Sequence, residues 1–139
     1  MKNRIDNVFS LDKPNPKEAA PLILAYIGDA VYEVVIRQIS ASKGNRPVTK
    51  LHKETIKYVN AEKQARMAES ILCNLTEEEM LIYKRGKNSK PQTSAKNASP
   101  ADYQKATGFE ALIGYLYLSE QTDRMLELIN DAIKNTEKV

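Results

Sequence analysis

The stretch Leu22-Ile23-Leu24-Ala25-Tyr26-Ile27-Gly28-Asp29-Ala30-Val31-Tyr32-Glu33-Val34-Val35-Ile36 decides the fold. It is apolar almost all the way round a helical wheel, the mark of a central helix rather than a surface one. Phe109 to Leu118 has the same character. Each stretch nevertheless carries a carboxylate and a glycine in its apolar part: Gly28 with Asp29, Glu110 with Gly114. Glycine inside a helix costs about 1 kcal/mol relative to alanine. A buried carboxylate costs far more unless it is paired, hydrogen-bonded or bound to metal. Glycine lets two helices approach closely, and Gly114 lies one turn past Glu110 on the same face. Two buried helices that cross at glycines, each bringing an acid to the crossing, assemble a cation site in a helical core.

Working outward, start signals for helices recur and no stretch reads as a strand. Asn15-Pro16-Lys17-Glu18 and Ser99-Pro100-Ala101-Asp102 each place a capping side chain before a proline, and Thr76-Glu77-Glu78-Glu79 is a capping box. Each cap contributes about 1 kcal/mol by satisfying orphan N–H groups. The pattern predicts helices at about Pro16–Ser40, Val48–Val59, Ala61–Leu75, Glu77–Lys87, Pro100–Ser119 and Asp123–Thr136, with Pro21 splitting the first. Asn88–Ala98 is expected to be a long polar loop.

The 139 residues suit one domain with its own core, and 42% apolar with 28% charged residues is ordinary globular composition. The net charge of +3 argues nothing by itself. Its distribution points modestly to a polyanion, because Lys84, Arg85, Lys87, Lys90, Lys96 and Lys105 face only Asp102 between positions 84 and 105. Cys73 stands alone, which excludes a disulfide framework and a thiolate cluster; with Ile71, Leu72 and Leu75 around it, a buried structural thiol is expected. Met1 to Asp12 holds no apolar run of signal-peptide length, and Asp29 and Glu33 break the one stretch that resembles a membrane span. A cytoplasmic protein with no membrane association is expected.

Asp29 shares an i±4 stripe with Ala25, Glu33 and Arg37. Glu33 and Arg37 read as a surface ion pair. Asp29 fits that reading poorly, with Ile27, Ala30 and Val31 beside it. Glu110 reads equally well as a metal ligand or as a buried glutamate bonded to a backbone group or an arginine. His52, near a helix start, reads as a surface residue.

Here a specific resemblance enters. Gly28-Asp29-Ala30-Val31-Tyr32-Glu33 resembles the ribonuclease III signature around its catalytic aspartate. Phe109-Glu110-Ala111-Leu112-Ile113-Gly114, followed by Tyr117-Leu118, is similar to that family's second metal-binding segment, and Lys84-Arg85-Gly86-Lys87 to its short basic motif upstream. The runs Leu24–Ala30, Lys84–Asn88 and Glu110–Leu116 resemble the Mini-III subgroup, the nuclease domain alone; full-length relatives append a double-stranded-RNA-binding domain.

The resemblance implies an all-α, single-domain helical bundle over 1–139, with a motif-bearing core at about 16–120. It implies a magnesium-dependent endoribonuclease that cuts both strands of double-stranded RNA as a homodimer, and maturation of the large-subunit (23S) ribosomal RNA precursor. Asp29 and Glu110 become the catalytic metal ligands. Ordinary members have two acids one turn apart on each helix. Here Ala25 and Thr107 stand at two of those four positions, departures that the Mini-III pattern shares. Magnesium keeps several waters, so one or two carboxylates suffice. Thr107 is placed to hold a metal-bound water through its hydroxyl, and Glu33 to stand beside the ligands.

An A-form helix hides its base edges, so RNA would be held by shape, phosphates and 2′-hydroxyls. Lys84, Arg85, Lys87, Asn88, Lys90 and Lys96 are the candidate clamp, against the plain alternative of a solvated loop. Tyr26 matches the aromatic position at which the family's subunits meet; a core role is its alternative. Two rival functions stay open. Ala25 and Thr107 fit a catalytically silent ribonuclease III-like module bound to ribosomal RNA, and an all-helical interaction protein would bind neither duplex nor magnesium.

Overall fold

Helices begin where the chain supplies a capping oxygen. The Asn15 side chain accepts from the Lys17 amide (3.0 Å), Ser99 Oγ from the Asp102 amide (3.1 Å), and Thr76 and Glu79 close a reciprocal capping box. Asn60, a cap the sequence reading passes over, accepts from the Lys63 amide at 2.8 Å. The structure is a computed structural model that describes residues 1–89 and 98–137. Among them lie seven α-helices and no strand: α1 (Lys2–Val8), α2 (Pro21–Ala41), α3 (Val48–Val59), α4 (Ala61–Ile71), α5 (Glu77–Lys87), α6 (Pro100–Leu118) and α7 (Thr122–Glu137). The all-α expectation is met.

Helix α6 is the axis of the molecule. Phe109, Leu112, Ile113 and Leu116 are essentially sealed from solvent, and α2, α4 and α5 pack around them, with α7 closing one side through Leu128 and Ile129. The amphipathic α3 lies across α2. The guanidinium of Arg124 on α7 grips both oxygens of the buried Glu79 carboxylate on α5 at 2.8 and 2.9 Å, which lowers that carboxyl's pKa below the usual value. Charge-assisted bidentate pairs of this kind fix one helix on another.

Several expectations are corrected. Pro21 splits the first helix as expected, into a 3-10 turn at Pro16–Glu18 and α2. Ala61–Leu75 is shorter than read: α4 ends at Ile71 and a 3-10 turn over Leu72–Asn74 follows. That turn carries the Cys73 side chain outward, so the thiol is exposed, not buried. Helix α1 lies outside the segments read as helical, because none of its residues is buried and it leaves no apolar stripe to read. Helix α2 is central on one face only. Leu24, Gly28, Tyr32, Ile36 and Ser40, spaced by four, are buried, while Ile23, Tyr26 and Val34 are exposed. Among the described residues no helix is long and apolar enough to cross a membrane.

Candidate active site

Two glycines set the distance between α2 and α6. A Cβ built on Gly28 would lie 1.8 Å from the Glu110 carbonyl oxygen, and one on Gly114 would lie 1.9 Å from the Leu24 carbonyl oxygen. Backbone touches backbone at both points, so no larger residue fits without moving a helix. The pairing of Gly28 with Glu110 and Gly114, and of Gly114 with Leu24, makes the two helices antiparallel. The crossing expected from the sequence is the crossing observed.

Asp29 follows Gly28, and Glu110 is the residue whose backbone Gly28 touches, so the two acids come together at the crossing. Glu110 is partly buried, and its carboxyl is pushed up to about 9 by that burial first, then by a side-chain hydrogen bond with Asp29 and by the Asp29 charge. Asp29 itself is exposed, which corrects the expectation of two buried acids: its side chain stands at the open edge of the crossing. Among the described residues neither acid has a salt-bridge partner. Two adjacent carboxyl groups without a basic partner, one at an open edge, form a donor set that a hard divalent cation would complete. No group of three or more ligating side chains occurs among the described residues, so a cation held here would keep most of its waters.

The neighbouring candidates separate by position. Ala25 and Thr107, the two positions at which the resemblance implies acids in ordinary members, are both buried. The Thr107 hydroxyl donates to the Tyr103 carbonyl at 2.9 Å, which spends its one proton within α6 and leaves its oxygen able to accept. Glu33 bonds Arg37 at 2.9 Å, as the plain reading had it, and one turn separates it from Asp29. Tyr26 is 76% exposed, which rules out its core alternative.

The basic segment divides. Lys84 and the helix-capping Asn88 are exposed, and Lys87 is half-buried. Arg85 is turned inward: its guanidinium donates to the Lys17 carbonyl at 3.1 Å and, more loosely, to the Ala19 carbonyl at 3.5 Å, tying the chain ahead of α2 to α5. That is the work of a strut, and it removes Arg85 from the row of free cations. Lys90 and Lys96 lie outside the described residues. Gly86 is a packing position too, since a Cβ there would meet the Ala111 side chain at 2.7 Å.

Two residues that the sequence reading passed over stand directly behind the acids. Tyr32, three residues after Asp29, is fully buried, and its ring meets that of Phe109, the neighbour of Glu110, edge-on at 5.4 Å. Their signal in the sequence was adjacency alone.

With this geometry in view, comparison with known proteins is direct. The Ribonuclease III domain family matches residues 22–121, a span that contains the glycine crossing and both acids. The chain belongs to the ribonuclease III family. Within the family it is similar to the Mini-ribonuclease 3 proteins. The Clostridium tetani protein of that name is 51% identical over 84% of this chain and 78% of its own length. The Enterococcus faecalis protein is 48% identical over 85% and 91%, and the Thermoanaerobacter protein 41% identical over 99% and 97%. A crystal structure of a Fusobacterium nucleatum protein superposes with a TM-score of 0.78 at 34% identity, covering 84% of this chain and 95% of that one. As a ribonuclease III family member of the Mini-III kind, the chain is an endoribonuclease.

Proposed function

We propose that this endoribonuclease hydrolyses phosphodiester bonds in double-stranded RNA with a magnesium ion held by Asp29 and Glu110, acts as a homodimer, and matures the large-subunit (23S) ribosomal RNA precursor. The observation that carries the reading is the meeting of two carboxyl groups without a basic partner at a glycine crossing, which pushes the Glu110 carboxyl up to about 9. The ribosomal substrate is supported by the resemblance to Mini-III proteins. Magnesium, when bound, supplies the positive charge that activates water and offsets charge growing on the scissile phosphate. The rest belongs to the chain. Asp29, exposed at the edge, is the acid a phosphate reaches first. Glu110, further in, would hold the ion in its deprotonated form. The Thr107 oxygen accepts from a water in the site, and Lys84 and Lys87 draw the RNA backbone towards it.

The experiment is cleavage of a base-paired RNA by the wild type beside Asp29→Asn, in magnesium. Product from the wild type, and at least about 100-fold less from the variant, is the expected result. A wild type that binds the duplex in a salt-dependent manner and leaves it intact would instead support the silent binding module.

A further inference from the structure

We infer that Tyr32 is a positioning residue for the cation site: through one buried ring and one hydroxyl it fixes how α2 and α6 are turned at their crossing, and so where the Asp29 and Glu110 oxygens point. The inference rests on the reading of these two acids as a cation site.

Glycines set how close two helices lie. They leave rotation about each helix axis undetermined, because a glycine presents no side chain to lock it. Something else must do so, and Tyr32 is placed for it. It sits one turn after Asp29 on α2 with none of its surface exposed. Its ring packs edge-on against Phe109 at an interplanar angle of 85°, an arrangement that aromatic quadrupoles favour. Phe109 precedes Glu110 directly on α6, so a turn of α6 that re-aims Glu110 must also move the Phe109 ring.

The hydroxyl supplies the third point. It donates to the Tyr58 carbonyl at 2.8 Å and also approaches Met67 Sδ at 3.3 Å. Tyr58 is next to last in α3, where helix carbonyls have no partner inside the helix. The Asn60 side chain serves the Ile56 and Lys57 carbonyls there at 3.0 and 3.2 Å, and Tyr32 serves Tyr58. A buried hydroxyl without partners would be costly, whereas this one has a fixed address. Tyr32 therefore joins the helix of one acid, the ring beside the other, and the α3–α4 corner. An apolar side chain of the same size fills the space and loses the address.

The test titrates manganese, alone, into the full chain and follows the paramagnetic resonance of the free ion, with thermal melts of the same samples in chelator. Tyr32→Phe is expected to bind Mn²⁺ about tenfold more weakly, the low end of the range for losing a residue that orients metal ligands. Its melting point should stay within a few degrees of the wild type. Phe109→Leu, which cuts the same link at its other end, should weaken Mn²⁺ binding in the same direction. Tyr32→Phe with wild-type Mn²⁺ affinity overturns the inference. Should that variant melt far below the wild type, Phe109→Leu decides, and normal binding there overturns it equally. A wild type that binds Mn²⁺ no better than Asp29→Asn removes the cation site itself.

Discussion

Glu110 holds a proton at neutral pH because it is partly buried and because Asp29 is beside it, and this governs how the protein without metal responds to pH. Its carboxyl moves from an ordinary 4.5 to about 9 on folding. Between those values an unfolded chain has released the proton and the folded chain keeps it, so the unfolded state binds fewer protons and stability falls as pH rises. The contribution is intact below the ordinary value and gone once pH passes the folded one. In chelator, the wild type should therefore lose melting temperature towards alkaline pH. Glu110→Gln, which cannot ionise, should lose less and end more stable at high pH by on the order of 5 °C. Saturating magnesium should reverse the order, because a ligand that binds only the folded wild type raises its stability. Parallel melting curves for the two proteins across this pH range would mean that the carboxyl is in water. Asp29 and Glu110 were legible as acids in apolar helices, and their partnership was legible from the glycines. That Asp29 stands exposed was not, because composition round a helix does not say which face other helices cover.

Helices α2 and α6 are held at a spacing that no side chain can share. Gly28→Ala would set a methyl group 1.8 Å from the Glu110 carbonyl oxygen, and backbone cannot step aside as the tip of a long side chain can. Overpacking a closed interface costs about 1–3 kcal/mol, and the upper end applies where backbone must move. Gly28→Ala should therefore lower the unfolding free energy measured in urea by that amount and weaken cleavage with it. Gly44 is the comparison: a Cβ there meets nothing within 4 Å, and its φ of +117° leaves only local strain. Gly44→Ala should cost stability and leave cleavage per folded molecule unchanged; equal effects on cleavage from both variants would contradict the crossing as the seat of the site. Much at this scale was readable, since caps and prolines mark helix starts chemically. Helix ends were less so: the segment read as helical to Leu75 stops at Ile71, where a 3-10 turn over Leu72–Asn74 takes over without a glycine or proline to announce it. Arg85 shows the other limit. A basic motif reads the same whether its cations face a polyanion or, as here, the carbonyls of Lys17 and Ala19.

On the function proposed above, one site cuts one strand, so severing a duplex takes two sites, related by the two-fold symmetry of antiparallel strands. The chain carries a surface suited to that pairing. Ile23, Tyr26 and Val34 project from the open face of α2, and beside them Ile27, Ala30, Val31 and Val34 line an apolar groove of about 640 Å³ that Met125 and Leu126 of α7 complete. Exposed apolar area of this kind, rimmed by Lys2 and Glu120, is what a self-association face would need. The face belongs to the same helix as Asp29, so pairing through it would hold two cation sites at a fixed separation. Val34 is 53% exposed and lies more than one turn from Asp29, which makes it the cleaner probe. Val34→Asp places a charge in the middle of this apolar face and should weaken self-association at least about 100-fold, as truncations at buried interface centres do. Sedimentation across a concentration series would show a dimer for the wild type and a monomer of unchanged melting temperature for the variant. Mixed dimers of wild type and Asp29→Asn complete the case: each would hold one working site, so the duplex should be nicked in one strand and not severed. Severed product from mixed dimers alone would mean that one site serves both strands, and the need for two would lose its ground.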